Sequence, residues 1–117
     1  MVTVLLLVWT HFIGDFVFQT DEVVRAKGRS NWALVSHTFT YIATFSLLGW
    51  VIPITTDWII LNMALHGVTD YVTSRAKTRL WREDETHLFF VVVGFDQAIH
   101  ISTLLLTYQW MFGKIVF

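Results

Sequence analysis

Residues 11–21 read HFIGDFVFQTD, with His11 and Asp15 four positions apart inside an otherwise apolar run from Val2 to Phe18. Residues at that spacing stand one above the other on the same face of a helix. The pattern recurs twice: HGVTD places His66 before Asp70, and DQAIH places Asp96 before His100. His37 adds an imidazole on a further apolar segment. Whether these segments enter lipid or fold in water decides what such pairs mean.

Composition favours lipid. The chain has 117 residues, 55% hydrophobic and 16% aromatic, so it exceeds the apolar share of an ordinary soluble domain and reads as one domain in a bilayer. Four segments approach the roughly 20 apolar residues a spanning helix needs: about 2–18, 32–54, 57–72 and 87–112. The expected fold is an all-α integral membrane four-helix bundle with up-down topology, residues 1–117 forming a single transmembrane domain. Pro53 is the only proline, and PITTD at residues 53–57 is expected to end the second helix and turn the chain back. Residues Arg75, Arg79 and Arg82 recur at helical spacing, which extends the third helix beyond its apolar part.

Seven of the eight Lys and Arg residues fall in Arg25–Arg29 and Arg75–Arg82. An up-down bundle brings these two loops to one side, and the positive-inside rule makes that side cytoplasmic. The expected location is the bacterial inner membrane, multi-pass, with both termini non-cytoplasmic; Lys114 adds little to that orientation. Trp32 and Trp81 fall near the basic side and Trp50, Trp58 and Trp110 near the opposite one, as interfacial belts require, whereas Trp9 fits neither. The N-terminal run lacks a basic start and a small-residue cleavage site, so it is read as mature protein. The net charge of −1 gives no reason to expect a nucleic-acid partner. With no cysteine, thiolate metal sites and thiol nucleophiles are excluded.

At about 1.5 Å per residue, His11, Asp15, His37, His66, Asp70, Asp96 and His100 all fall at one level in the cytoplasmic half of the bundle. Each aspartate there costs roughly 2.5–3.5 kcal/mol on insertion scales. No lysine or arginine lies within the apolar segments at that depth, so salt bridges are not expected to compensate. Protonation, a water-filled cavity, a metal-free polar network or divalent cations remain, and charge counting favours cations: three carboxylates with two ions and a bridging hydroxide come close to neutrality. Imidazole and carboxylate without sulfur suit Zn, Mn, Fe, Co or Ni. The seven residues are therefore the candidate ligands, with two ions expected. Asp15, Asp70 and Asp96 are the candidate catalytic carboxylates, as bridging ligands or as general base. Gln19 and Gln97 would orient ligands or substrate. Lys27, Arg75 and Lys77 would guide an anion. Gly14, Gly67 and Gly94, each within two residues of a ligand, are expected to permit close helix packing. Thr69 and Ser74 are expected to bond back to their own helix, and His87 to be a solvated side chain.

The stretch from His11 to Asp21, Lys27, His37, HGVTD and DQAIH resembles the domain of unknown function family numbered 3307, small membrane proteins of bacteria and their phages, over about residues 10–100. The resemblance implies a polytopic membrane protein marked by these polar residues, and implies no reaction. More distantly, the layout is similar to membrane-bound metal-dependent hydrolases related to zinc phospholipases, whose histidine-serine pattern is missing here. The resulting expectation is a metal-dependent hydrolase of a phosphate-containing or amphiphilic ester, in contact with membrane lipid and acting on a phosphorylated lipid or small molecule. A metal-ion or proton transporter, which four short helices could form only as an oligomer, stays open beside it. So does a phage accessory protein stabilised by a structural metal.

Overall fold

The structure is a computed structural model and describes residues 1–113; Lys114 and its expected role lie outside the described residues. It is all-α, with α1 (Val2–Phe12) running into a π turn (Ile13–Val17), then α2 (Asp21–Ala26), α3 (Asn31–Leu48), α4 (Thr56–Arg82) and α5 (Thr86–Phe112). α1 with its π turn packs on α3 and α5, α3 on α4, and α4 most extensively on α5, so these elements close a ring.

Three helix starts follow from side-chain caps. Thr20, Ser30 and Thr55 each accept a hydrogen bond from the backbone N–H three residues on, at Val23, Ala33 and Trp58, satisfying donors the first turn leaves free. The first of these opens α2, a helix that the polar loop was not expected to contain. Its six residues are too few to hold alone, and the Lys27–Gly28 turn after it is fastened to α4, where Ser74 Oγ donates to the Lys27 carbonyl at 3.3 Å. α3 stops at Leu48, five residues short of Pro53. There Gly49, Trp50 and Val51 donate to carbonyls three residues back, tightening the last turn, because the residue before a proline is driven out of the helical region. α4 continues unbroken to Arg82, as the arginine spacing foretold.

The first helix is not α throughout. Phe18 N–H reaches back five residues to the Ile13 carbonyl at 3.0 Å, so residues 13–17 make one wide turn. Asp15 sits in it and is 2% exposed.

Burial runs opposite to that of a water-soluble domain. Among the described residues nine hydrophobic ones are buried, against thirteen polar or charged, while twenty-six large hydrophobics are exposed. One half of the bundle has an aromatic core in which Trp58 packs against Phe45 and Tyr108. Trp58 is therefore wholly buried, and its expected place in an interfacial belt is corrected: it falls on the inner face of α4's first turn. Trp32, Trp50, Trp81 and Trp110 are exposed. By length and apolar composition, α5 is the one helix among the described residues able to cross a membrane unaided, and α1 with its π turn forms a shorter apolar run. The expected four spans become five helices, because α2 is added and α3 and α4 carry too many polar residues to qualify alone.

Of the glycines expected to allow close packing, Gly14 does, since a Cβ there would come within 3.2 Å of the Tyr41 ring. Gly67 has only ordinary contacts and Gly94 has nothing within 4 Å. The tightest approach is at Gly28, where a Cβ would lie 1.9 Å from Thr78 Oγ1 and 2.6 Å from the Ser74 carbonyl. The carbonyl belongs to a helix and cannot step aside. Gly28→Ala should thus lower stability by about 1–3 kcal/mol, whereas Gly94→Ala should not lower it. Thermal unfolding of both variants in one detergent checks the contrast.

Candidate metal centre

All seven histidines and aspartates singled out from the sequence converge inside the bundle, none more than 2% exposed. Their helices bring them there in pairs. His66 Nε2 lies 3.6 Å from Asp70 Oδ2 on α4, His100 Nε2 lies 3.3 Å from Asp96 Oδ1 on α5, and His11 Nε2 lies 3.7 Å from Asp15 Oδ2 across the start of the π turn.

Two groups of ligand atoms form. In the first, Asp15, His37, His66 and Asp70 each offer one atom, all within 4.8 Å of one another. His37 Nε2 is 2.9 Å from Asp15 Oδ1, 3.2 Å from Asp70 Oδ2 and 3.1 Å from His66 Nε2. His66 Nε2 is 3.7 Å from Asp15 Oδ1 and 3.6 Å from Asp70 Oδ2. Four ligands at about 2.0–2.1 Å from a tetrahedral ion stand roughly 3.3–3.4 Å apart, and these separations straddle that value. The donor set and the spacing fit a first-row divalent ion. A single hydrogen on His37 Nε2 satisfies at most part of this arrangement, since an imidazole nitrogen and two carboxylates face it together.

The second group joins Asp15 to Asp96 and His100, again within 4.8 Å. Asp15 belongs to both groups, and the His100 Nε2 that is close to Asp96 is also 3.4 Å from Asp70 Oδ1. The geometry is that of two adjacent sites with carboxylates between them. The second offers three protein ligand atoms, one fewer than the first.

His11 is in neither group. Its Nε2 donates to Gln97 Oε1 at 2.8 Å and its Nδ1 accepts from Tyr41 Oη at 3.1 Å, so both ring nitrogens are engaged. The Gln97 amide donates to Asp15 Oδ2 at 2.9 Å and to Asp96 Oδ2 at 3.1 Å, the orienting position expected for it. Gln19 Oε1 is buried without a partner among the described residues. His37 and His66 likewise have Nδ1 atoms without partners. Stacking holds the His66 ring instead: Tyr41 lies parallel to it at 3.8 Å.

The expectation that no salt bridge compensates the aspartates is overturned. Lys27 is 6% exposed and its Nζ donates to Asp70 Oδ2 at 3.1 Å; Lys77 Nζ donates to Asp96 Oδ2 at 3.2 Å. Both lysines come from outside the apolar segments. The turn after α2 folds one inward, and the polar end of α4 swings the other down on its four-carbon stem. Arg75 does not join them: its guanidinium stacks on Tyr71 at 3.7 Å and donates to Asn31 Oδ1, on the outside of the bundle.

Two contributors escaped the sequence reading. Thr73 donates to Asp96 Oδ1 at 2.5 Å, and Tyr41 buttresses His11 and His66. Each had a signal. Tyr41 lies four residues after His37 and Thr73 seven after His66, hence on the same helix faces. Thr69 and Ser74 do bond to backbone carbonyls four residues back, at Leu65 and Asp70. His87 is exposed, as foreseen.

Of these ligands Asp15 and Asp96 reach a cavity of about 590 Å³; the others lie behind them. Asp15, Asp96 and Gln97 are at its base; Arg25, Lys27, Arg29, Lys77 and Arg82 line it together with the rings of Phe16, Trp81 and Phe89. Five cations against two carboxylates make this lining electropositive.

Comparison with known proteins places the chain in a family. Residues 2–116 match the family described as a protein of unknown function, DUF3307, and the chain belongs to it. No curated protein and no solved structure matches.

The Lys27–Asp70 pair separates charge pairing from metal binding. Asp70→Asn should leave the Lys27 ammonium buried without its counter-ion and cost about 3–5 kcal/mol. Adding Lys27→Met should recover most of that stability but no metal binding, as read by thermal unfolding and metal analysis of the same samples.

Proposed function

We propose that this member of the family is a multi-pass membrane metalloprotein that hydrolyses a phosphate-containing amphiphilic ester at the His/Asp centre. One observation carries the reading: Asp15 and Asp96, two of the candidate metal ligands, line a cavity whose walls combine five cations with aromatic rings. Cations suit a phosphate headgroup, and the rings suit the apolar chain beside it.

Membrane placement is supported by the inverted burial, with apolar side chains outward and ionisable ones inward. α4 turns His66 and Asp70 into the centre and α3 turns His37, positions that an isolated span would fill with apolar residues. The cavity opens among the basic residues of both loops, the side the positive-inside rule assigns to the cytoplasm.

Divalent ions held by Asp15, His37, His66, Asp70, Asp96 and His100 would supply Lewis acidity and lower the pKa of water at the centre. The chain's own groups do the rest. Gln97 fixes Asp15 and Asp96 relative to one another. Asp96, on the cavity lining and held by Thr73 and Lys77, is placed to take a proton from water entering the cavity when it is not itself coordinated. Arg25, Arg29 and Arg82, also on the lining, draw the anion in.

Two tests follow. Metal-loaded protein screened against phospholipids, isoprenoid phosphates and phosphorylated metabolites should turn over at least one class, and Asp96→Asn should lose more than about 100-fold of that rate while remaining folded. Inactivity of both proteins across the set, with wild type carrying metal ions or protons into liposomes, would replace hydrolysis with transport. For orientation, the chain has no cysteine of its own, so Arg79→Cys in intact cells should resist an impermeant thiol reagent and Trp50→Cys should react; the reverse would invert the assignment.

A further inference from the structure

We infer that the second ion position, at Asp15, Asp96 and His100, fills only together with a phosphate-type oxyanion, for which Lys77 and Lys27 provide the seat. This rests on the metal reading above and adds to it an order of entry.

The first argument is charge. Asp15, Asp70 and Asp96 bring three negative charges, and Lys27 and Lys77, in contact with two of them, return two positive ones. With neutral imidazoles the centre carries about one negative charge. One divalent ion in the group of four ligands reverses that to about one positive charge. A second would leave about three among side chains that are almost wholly buried, where uncompensated charge is costly. A phosphate dianion removes most of the excess.

The second argument is placement. Lys77 and Asp96 both line the cavity, and the Lys77 side chain is 16% exposed. Its ammonium is a point charge on a flexible stem. A divalent ion competes with it for Asp96, and an anion in the same cavity is the other partner within its reach. Lys27, also on the lining, holds Asp70 in the same manner. Gln19 also lines this cavity, and its Oε1 is a buried acceptor without a donor among the described residues. A protonated phosphate oxygen or a headgroup hydroxyl would supply one. The ligand class is therefore a phosphomonoester or free phosphate, and binding of the ion and the anion is mutually reinforcing by the same factor in both directions.

The experiment is equilibrium dialysis of Mn²⁺ against the full chain in phosphatidylcholine nanodiscs, with electron paramagnetic resonance as the second readout. In chloride buffer we expect one ion per chain and the signal of an isolated ion. Inorganic phosphate in one arm, or phosphatidic acid in the nanodisc in another, should bring in the second ion, tighten its binding about tenfold or more, and convert the signal to that of a coupled pair. The arm that responds names the source of the anion. Lys77→Gln should admit the second ion without phosphate, because no ammonium then competes for Asp96. Two ions bound equally with and without either anion, or a single ion under all conditions, overturns the inference while leaving a metal site standing. No ion under any condition overturns the metal reading itself. Should Lys77→Gln fail to fold, the wild-type titrations decide alone.

Discussion

Three carboxylates held at one level beneath an apolar exterior set the terms for everything else in this protein. An unpaired buried charge costs more than any single packing contact returns. The faces of α3, α4 and α5 that meet are therefore polar where Asp70 and Asp96 stand and aromatic only toward the far end, where Trp58, Phe45 and Tyr108 pack. Gln97, Thr73 and Tyr41 all serve the same carboxylates and imidazoles. The short helix α2 owes its position to the same demand, since it is the arm that delivers Lys27 to Asp70.

Compensation by lysine and by divalent ions is not the same thing, and the centre holds the means for both. A lysine neutralises one charge through one carboxylate oxygen and keeps its other donors for something else. A divalent ion gathers several ligands at once and repels a second ion beside it. The arrangement has more ligand atoms than one ion needs and more positive charge nearby than two ions tolerate. This imbalance is what ties the centre to the electropositive cavity above it.

Much of the centre was legible in the sequence because helical spacing is a local property. The pairs His66–Asp70 and Asp96–His100 needed only the period of a helix to be placed on one face, and their shared depth followed from counting residues to the basic loops. The lysines were misread for a physical reason. Depth was judged from where a residue's backbone lies along an apolar run, whereas a lysine head travels several ångströms from its Cα, and the turn after α2 folds inward on Gly28. Trp58 was misplaced likewise, because closeness to a helix end does not say which face a ring takes. The early stop of α3 at Leu48 came from Pro53 acting through the residues before it, an influence that composition does not display. His11 shares the spacing of a ligand, yet Tyr41 and Gln97 occupy both of its nitrogens, which no pattern in a single sequence reveals.

The wide turn at Ile13–Val17 has a further meaning for how this chain can change. A π turn carries one more residue than the α turn it replaces, and one residue amounts to about 100° of rotation around a helix axis. It works as a swivel between the stretch of α1 that faces outward and the carboxylate that serves both ligand groups. The aim of Asp15 is set from other helices, by Gln97 on α5 and His37 on α3, and not by the stretch of α1 that precedes the turn. Loss of a single residue from that turn would restore an even helix and point the upstream face somewhere new, so the length of this segment is held more strictly than its lettering.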